Sequence, residues 1–215
     1  MNKIYISGDS YCKYRSAGNN DWPALLARLL DLDLQGQGYE GDSWWYTRVD
    51  LINYLESATA AETELFVICH TDPHRILTDR QRIVQNLSEE LDQVRRVYYK
   101  YIHTDSIHNW TTLQWYRELN QLLKDRRVVH LQCFDSTVAY FDQLVGLKFA
   151  YPLTNISREE PGAGPEKFML DDRRNHFSTE NNVKLANFIH SHYLANTNDL
   201  NTAVAENFTD PGRTW

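Results

Sequence analysis

Lys3-Ile4-Tyr5-Ile6-Ser7-Gly8-Asp9-Ser10 opens the chain with a β-rich run over residues 3–7 that stops at a glycine. β-branched and aromatic residues favour a pleated strand, and Gly-Asp-Ser marks the loop that follows it. A serine just past a strand end is positioned for nucleophilic chemistry, if a base takes its proton and backbone amides hold the developing oxyanion. The tripeptide also fits a plain loop in which Asp9 and Ser10 hold the turn together.

Working outward, Asn20 or Asp21 is expected to cap a helix with Pro23 in its first turn and Leu25, Leu26, Leu29 and Leu30 at helical spacing. Leu32-Asp33-Leu34 then leads into Gln35–Ser43, a tight loop with Gly36, Gly38 and Gly41. A helix starting near Asp42 or Ser43 carries Trp45, Val49, Ile52 and Leu55 on one side. Glu64–Cys69 and Val128–Phe134 read as buried strands, with helical stretches at 79–101 and 111–124 between them. Segment 154–168 reads as loop, and a final helix runs from Thr179 to Leu194, capped by Ser178 or Thr179. Strands alternating with helices imply one α/β domain over 1–195, a mostly parallel sheet covered on both faces. Residues 196–215 read as a polar tail. Ligands in such sheets bind beyond the carboxyl ends of the strands, where Ser10 and His70–Arg75 fall.

Composition narrows the function. A net charge of -7 argues against a nucleic-acid binder, because a phosphate backbone needs a clustered basic face. No apolar stretch approaches the roughly 18 residues of a membrane span. The first ten residues lack a basic start followed by an apolar run, so no signal peptide and a cytoplasmic location are expected. Cys12, Cys69 and Cys133 show no paired spacing and read as reduced, with Cys69 and Cys133 acting as small hydrophobes. The 13 tyrosines and 6 tryptophans fit either aromatic core packing or a sugar- or partner-binding surface. His70, Asp72 and His74 lack a third ligand of plausible spacing, so no metal is expected, nor any cofactor. His130, inside a strand, reads as a satisfied core histidine. The stretch around His103, Asp105, His108, Trp110 and Trp115 fits either a lid or an ordinary helix connection.

Asp171-Asp172-Arg173-Arg174-Asn175-His176 stands just before Ser178 and the last helix. A histidine with carboxylates upstream suits a base whose tautomer is fixed by an acid, and equally a solvated loop. Taken in order, Gly8-Asp9-Ser10, the Gly36–Ser43 block, Cys69-His70-Thr71-Asp72 and the Asp172–His176 block resemble the SGNH hydrolases, the GDSL esterase superfamily. The resemblance implies a three-layer αβα sandwich with a flavodoxin-like parallel sheet. It makes Ser10 the nucleophile, His176 the base and Asp172 or Asp171 the acid. The Ser10 and Gly41 amides and Thr71 then form the oxyanion hole, with Asp9 and His70 in support. The expected activity is hydrolysis of small esters such as O-acetyl groups on carbohydrates.

Two positions depart from the family pattern. Thr71 replaces the usual oxyanion-hole asparagine, and Arg173 stands where the acid belongs, three residues before the histidine. These departures motivate an alternative: an SGNH-fold protein without catalysis that serves binding or virion assembly. Bulk composition and aromatic-rich helices also resemble phage-encoded members, which would make a virion-associated location the counterpart of that alternative. Oligomeric state is left open.

Overall fold

The computed structural model describes residues 2–14, 20–39, 42–72, 93, 96–98, 100–102, 104–134, 140–149, 152–156 and 177–195. Gly41, Asp171, Asp172, His176, His74, most of the 79–101 stretch and the 196–215 tail lie outside them.

Strand β1 (Lys3–Asp9) runs two residues further than its apolar stretch suggests, and a 3-10 turn over Ser10–Cys12 follows. Helix α1 (Trp22–Leu30) carries Pro23 in its first turn, with Asp21 as N-cap residue. Strand β2 (Asp33–Gln35) pairs with the first half of β1, from Lys3↔Asp33 to Tyr5↔Gln35. The two-residue β3 (Gly38–Tyr39) pairs with its second half, at Gly8↔Gly38 and Asp9↔Tyr39. Helix α2 (Trp44–Leu55) leads to β4 (Thr63–His70), which takes the other edge of β1. Helix α3 (Asp105–Leu122), β5 (Arg127–Gln132), β6 (Leu147–Phe149) and helix α4 (Thr179–Ala195) complete the described elements.

All these pairings are parallel, in the order β2-β1-β4-β5-β6 with β3 beside β1. With β2 and β3 taken as one broken edge strand, this is the flavodoxin-like order, whose switch point lies between β1 and β4. Parallel strands need both faces covered, and the side-chain alternation supplies two cores. Ile4, Ile6, Leu65, Val67, Val129 and Leu131 pack on one face with Leu26 of α1 and Leu185 and Ile189 of α4. Tyr5, Phe66, Ile68 and Val128 pack on the other with Leu51 of α2 and Trp115 and Leu119 of α3. Each such fully buried side chain contributes about 1.5–3 kcal/mol. The fold is the expected three-layer α/β sandwich.

Four elements differ from their sequence reading. Residues 38–39 of the glycine loop join the sheet, because Gly38 lies so close that a Cβ there would sit 2.1 Å from the Asp9 carbonyl oxygen. Helix α2 buries Thr47 and Leu51 and leaves Trp45 exposed, so its inward face is turned from the Trp45–Val49–Ile52 stripe. Helix α3 starts six residues before 111, where the Thr104 hydroxyl accepts from the Ile107 amide at 3.2 Å and caps it. Strand β6, only three residues long, is too short for its sequence to show a strand period. The 105–115 stretch is helical, with His108 and Trp115 buried. Ser178 caps α4, its hydroxyl accepting from the Asn181 amide at 3.1 Å. Cys12, Cys69 and Cys133 are buried free thiols, and desolvation pushes Cys133 up to about 12. Among the described residues, no helix is long and apolar enough to cross a membrane.

His130 is buried and bonded at both ring nitrogens: Nδ1 lies 3.0 Å from His70 Nε2, and Nε2 lies 3.1 Å from the Val145 carbonyl. A carbonyl only accepts, so His130 Nε2 carries the proton and its Nδ1 accepts from His70 Nε2–H. Burial holds His130 down at about 4 and His70 well below the ordinary histidine range. The unfolded chain, with histidines near 6.5, therefore binds more protons than the fold between about pH 6.5 and 4. Stability is full above that window and falls as pH drops through it, by about 3 kcal/mol for His130 alone. Urea unfolding from pH 7 to 4.5 should show a steeper loss in the wild type than in His130→Gln. Parallel losses would contradict this.

Candidate functional site

β1 ends at Asp9 because the next residues turn into the 3-10 segment, whose N-cap is Asp9 itself. Its Oδ1 accepts from the Tyr11 amide at 3.0 Å and from the Cys133 thiol at 3.5 Å, while the Cys12 thiol donates to its carbonyl at 3.3 Å. Fully buried, Asp9 is fastened to β1, to the turn and to the end of β5. The carboxylate thus fixes where Ser10 leaves the strand. Ser10 is recessed, 6% exposed, as the first residue of the turn.

Across the switch point, register places Gly8 opposite Cys69, so Ser10 and Thr71 leave neighbouring strand ends. Thr71 is buried, and its hydroxyl donates to the Asp42 carbonyl at 2.9 Å. That bond ties the end of β4 to the segment just after Gly41. It also commits the one hydroxyl proton, so the Thr71 side chain acts here as a loop clasp. His70 is committed in a similar way. Its single N–H is directed at His130, and its ring points to the α2/α3 face, edge-on to Tyr116 and Phe141.

Phe177, the residue that follows the closing block in sequence, packs at the same end of the sheet. This ring, buried next after His176, packs edge-on against Tyr11 at 5.8 Å between centroids. Asn182 of α4 accepts from the Trp22 amide at 2.7 Å, and Trp22 Nε1 donates to the Tyr11 carbonyl at 2.8 Å. Tyr11 is thereby held from three sides. The structure brings together Asp9, Ser10, Thr71, Asp42 and Phe177. Gly41, Asp171, Asp172 and His176 themselves lie outside the described residues.

Asp72 follows Thr71 at the same strand end, and His74 lies outside the described residues. Among those described, no cluster of metal-ligating side chains occurs. The sequence reading missed the Asp9–Cys133 and Thr71–Asp42 bonds, whose partners stand 124 and 29 residues apart. A strand-end Asp or Thr is a weak signal for either.

No family model and no curated protein matches the sequence. Among solved structures the chain is similar to a protein assigned to the G-D-S-L family of lipolytic proteins from Desulfitobacterium hafniense DCB-2. The identity is 12%, over 89% of this chain and 99% of that one, with a TM-score of 0.43. It is also similar to a carbohydrate esterase whose active site is described as having divergent catalytic and non-catalytic binding functions. There the identity is 12%, over 93% of this chain and 66% of that one, with a TM-score of 0.49. At this level of likeness the fold rests on the chain's own strand order.

Proposed function

We propose that this protein is a serine esterase that cleaves small acyl esters, O-acetyl carbohydrates among them. Ser10 is the nucleophile, His176 the base, and Asp172 or Asp171 the acid that orients it. The observation that carries the reading is the packing of Phe177 on Tyr11, which joins the neighbours of His176 and Ser10 at the switch point of the sheet. That contact, together with the order of the four sequence blocks, supports pairing the strand-end serine with His176.

Ser10 attacks the acyl carbon while His176 takes its proton. The same imidazolium then protonates the leaving alcohol, and water, deprotonated by His176, releases the acyl group. Backbone amides of Ser10 and Gly41 hold the oxyanion. Thr71 contributes by fixing the Asp42 carbonyl, and with it the loop that presents Gly41. One fewer side-chain donor weakens transition-state stabilisation by about 2.7–4 kcal/mol, so a slow enzyme is expected.

That commitment of the Thr71 proton to Asp42 also favours a second reading, a binding module on the same fold without turnover. Purified protein assayed with p-nitrophenyl acetate separates the two. Turnover above the buffer rate, led by a burst of about one equivalent of p-nitrophenol, is the esterase outcome. Release at the buffer rate alone selects the binding module.

A further inference from the structure

A cavity of about 10 Å³ lies between the end of β4 and the helices α2 and α3, walled by Trp44, Trp115 and Tyr116. Of the threonine and histidine side chains that line it, Thr71 is already committed to the Asp42 carbonyl, which leaves three. Thr47 of α2 and Thr112 of α3 are 3% and 6% exposed, and neither hydroxyl has a hydrogen-bond partner among the described residues. Their neighbour Thr111 shows the ordinary alternative, its hydroxyl bonding back to the His108 carbonyl at 2.9 Å. The third side chain is His70, 4% exposed. Because His130 Nε2 donates to Val145 and His70 Nε2 donates to His130, neutral His70 carries no proton on Nδ1. It therefore brings an acceptor to the cavity wall.

Two orphaned hydroxyls and one imidazole lone pair form a complementary set. A buried hydroxyl without a partner is destabilising, so two in one small cavity call for an occupant. The volume suits one water-sized molecule, and buried waters make about three hydrogen bonds. An apolar occupant would leave both hydroxyls unpaired. A cation would repel none of the oxygens, but the cavity offers no carboxylate to neutralise it.

We propose that this cavity is a binding site for a single water molecule, which accepts from the Thr47 and Thr112 hydroxyls and donates to His70 Nδ1. The water completes a one-way chain of donors from Thr47 and Thr112 through His70 and His130 to the Val145 carbonyl. That chain laces α2 and α3 to β4, to β5 and to the residue two before β6. It also anchors the residue preceding Thr71, and so the clasp on Asp42, from beneath the sheet.

The test uses Thr47→Val and Thr112→Val in the full chain, since valine keeps the shape and removes only the hydroxyl. With water bound, each replacement removes one of its bonds and lowers Tm by about 2–4 °C. In a dry cavity each replacement removes an unpaired buried hydroxyl, so an unchanged or raised Tm would overturn the proposal. A crystal structure of the wild type at about 1.5 Å decides the matter even if the variants fail to fold. The expected density peak lies about 2.6–3.2 Å from Thr47 Oγ1, Thr112 Oγ1 and His70 Nδ1 together. No peak, or one that reaches only the threonines, overturns it.

Discussion

Gly8→Ala should lower the melting temperature by about 10 °C or leave the protein insoluble. Gly8 holds φ at +149°, where L side chains are rare, and an added Cβ would lie 2.3 Å from the Cys69 carbonyl oxygen and 2.6 Å from the Cys69 Cβ. Neither contact can relax cheaply, because Gly8 and Cys69 are register partners at the centre of the sheet. Backbone strain of about 1–3 kcal/mol adds to the overlap, for a total of about 3–5 kcal/mol. That is a large fraction of the 5–15 kcal/mol that holds a typical domain. Circular dichroism melts measure it directly. A variant that melts within about 2 °C of the wild type would show that β1 does not press on β4 as described. The glycine of Gly-Asp-Ser thus serves close strand approach, whereas its sequence context suggested the turn.

Ser10→Ala carries the largest expected effect on activity. Without the hydroxyl no acyl-enzyme forms, and loss of a serine nucleophile lowers turnover by about 10⁴-fold or more. The change deletes one oxygen from a recessed side chain at the first position of a turn, so Tm should shift by no more than about 4 °C. Rates with p-nitrophenyl acetate for wild type and variant, each checked for folding, test it. Equal rates in two folded proteins would remove Ser10 from the chemistry.

Much of the fold is legible because β1, β4 and β5 are apolar runs that strand propensity alone identifies. Their carboxyl ends place Ser10, Thr71 and Cys133 at one end of the sheet before any tertiary information is used. Elements held by tertiary contact are harder to read. β3 is two residues whose pairing depends on Gly38 fitting against Asp9 and Cys12. β6 carries only Leu147, Lys148 and Phe149, too short for a period to show. In α2 the tryptophan at 45 suggests an inward face, yet Thr47 and Leu51 face the core, so polarity misleads where a buried hydroxyl is used.

The site divides in the same way. Ser10, Asp9 and Thr71 are visible as residues at strand ends, because local sequence sets where a strand stops. Their roles depend on where protons go. That the Thr71 hydroxyl serves Asp42, and that His70 pairs with His130 some 60 residues away, follows only from the assembled sheet. The acid is the least legible, since Asp171 and Asp172 are adjacent in sequence, no periodicity separates them, and both lie outside the described residues.

Covalent labelling at Ser10 tests the central claim most directly. Folded protein treated with a fluorophosphonate, digested and analysed by mass spectrometry should carry one adduct, on Ser10, lost when the protein is first unfolded in urea. An unmodified Ser10 in folded protein, or an adduct confined to another residue, would contradict the assignment of Ser10 as the activated nucleophile.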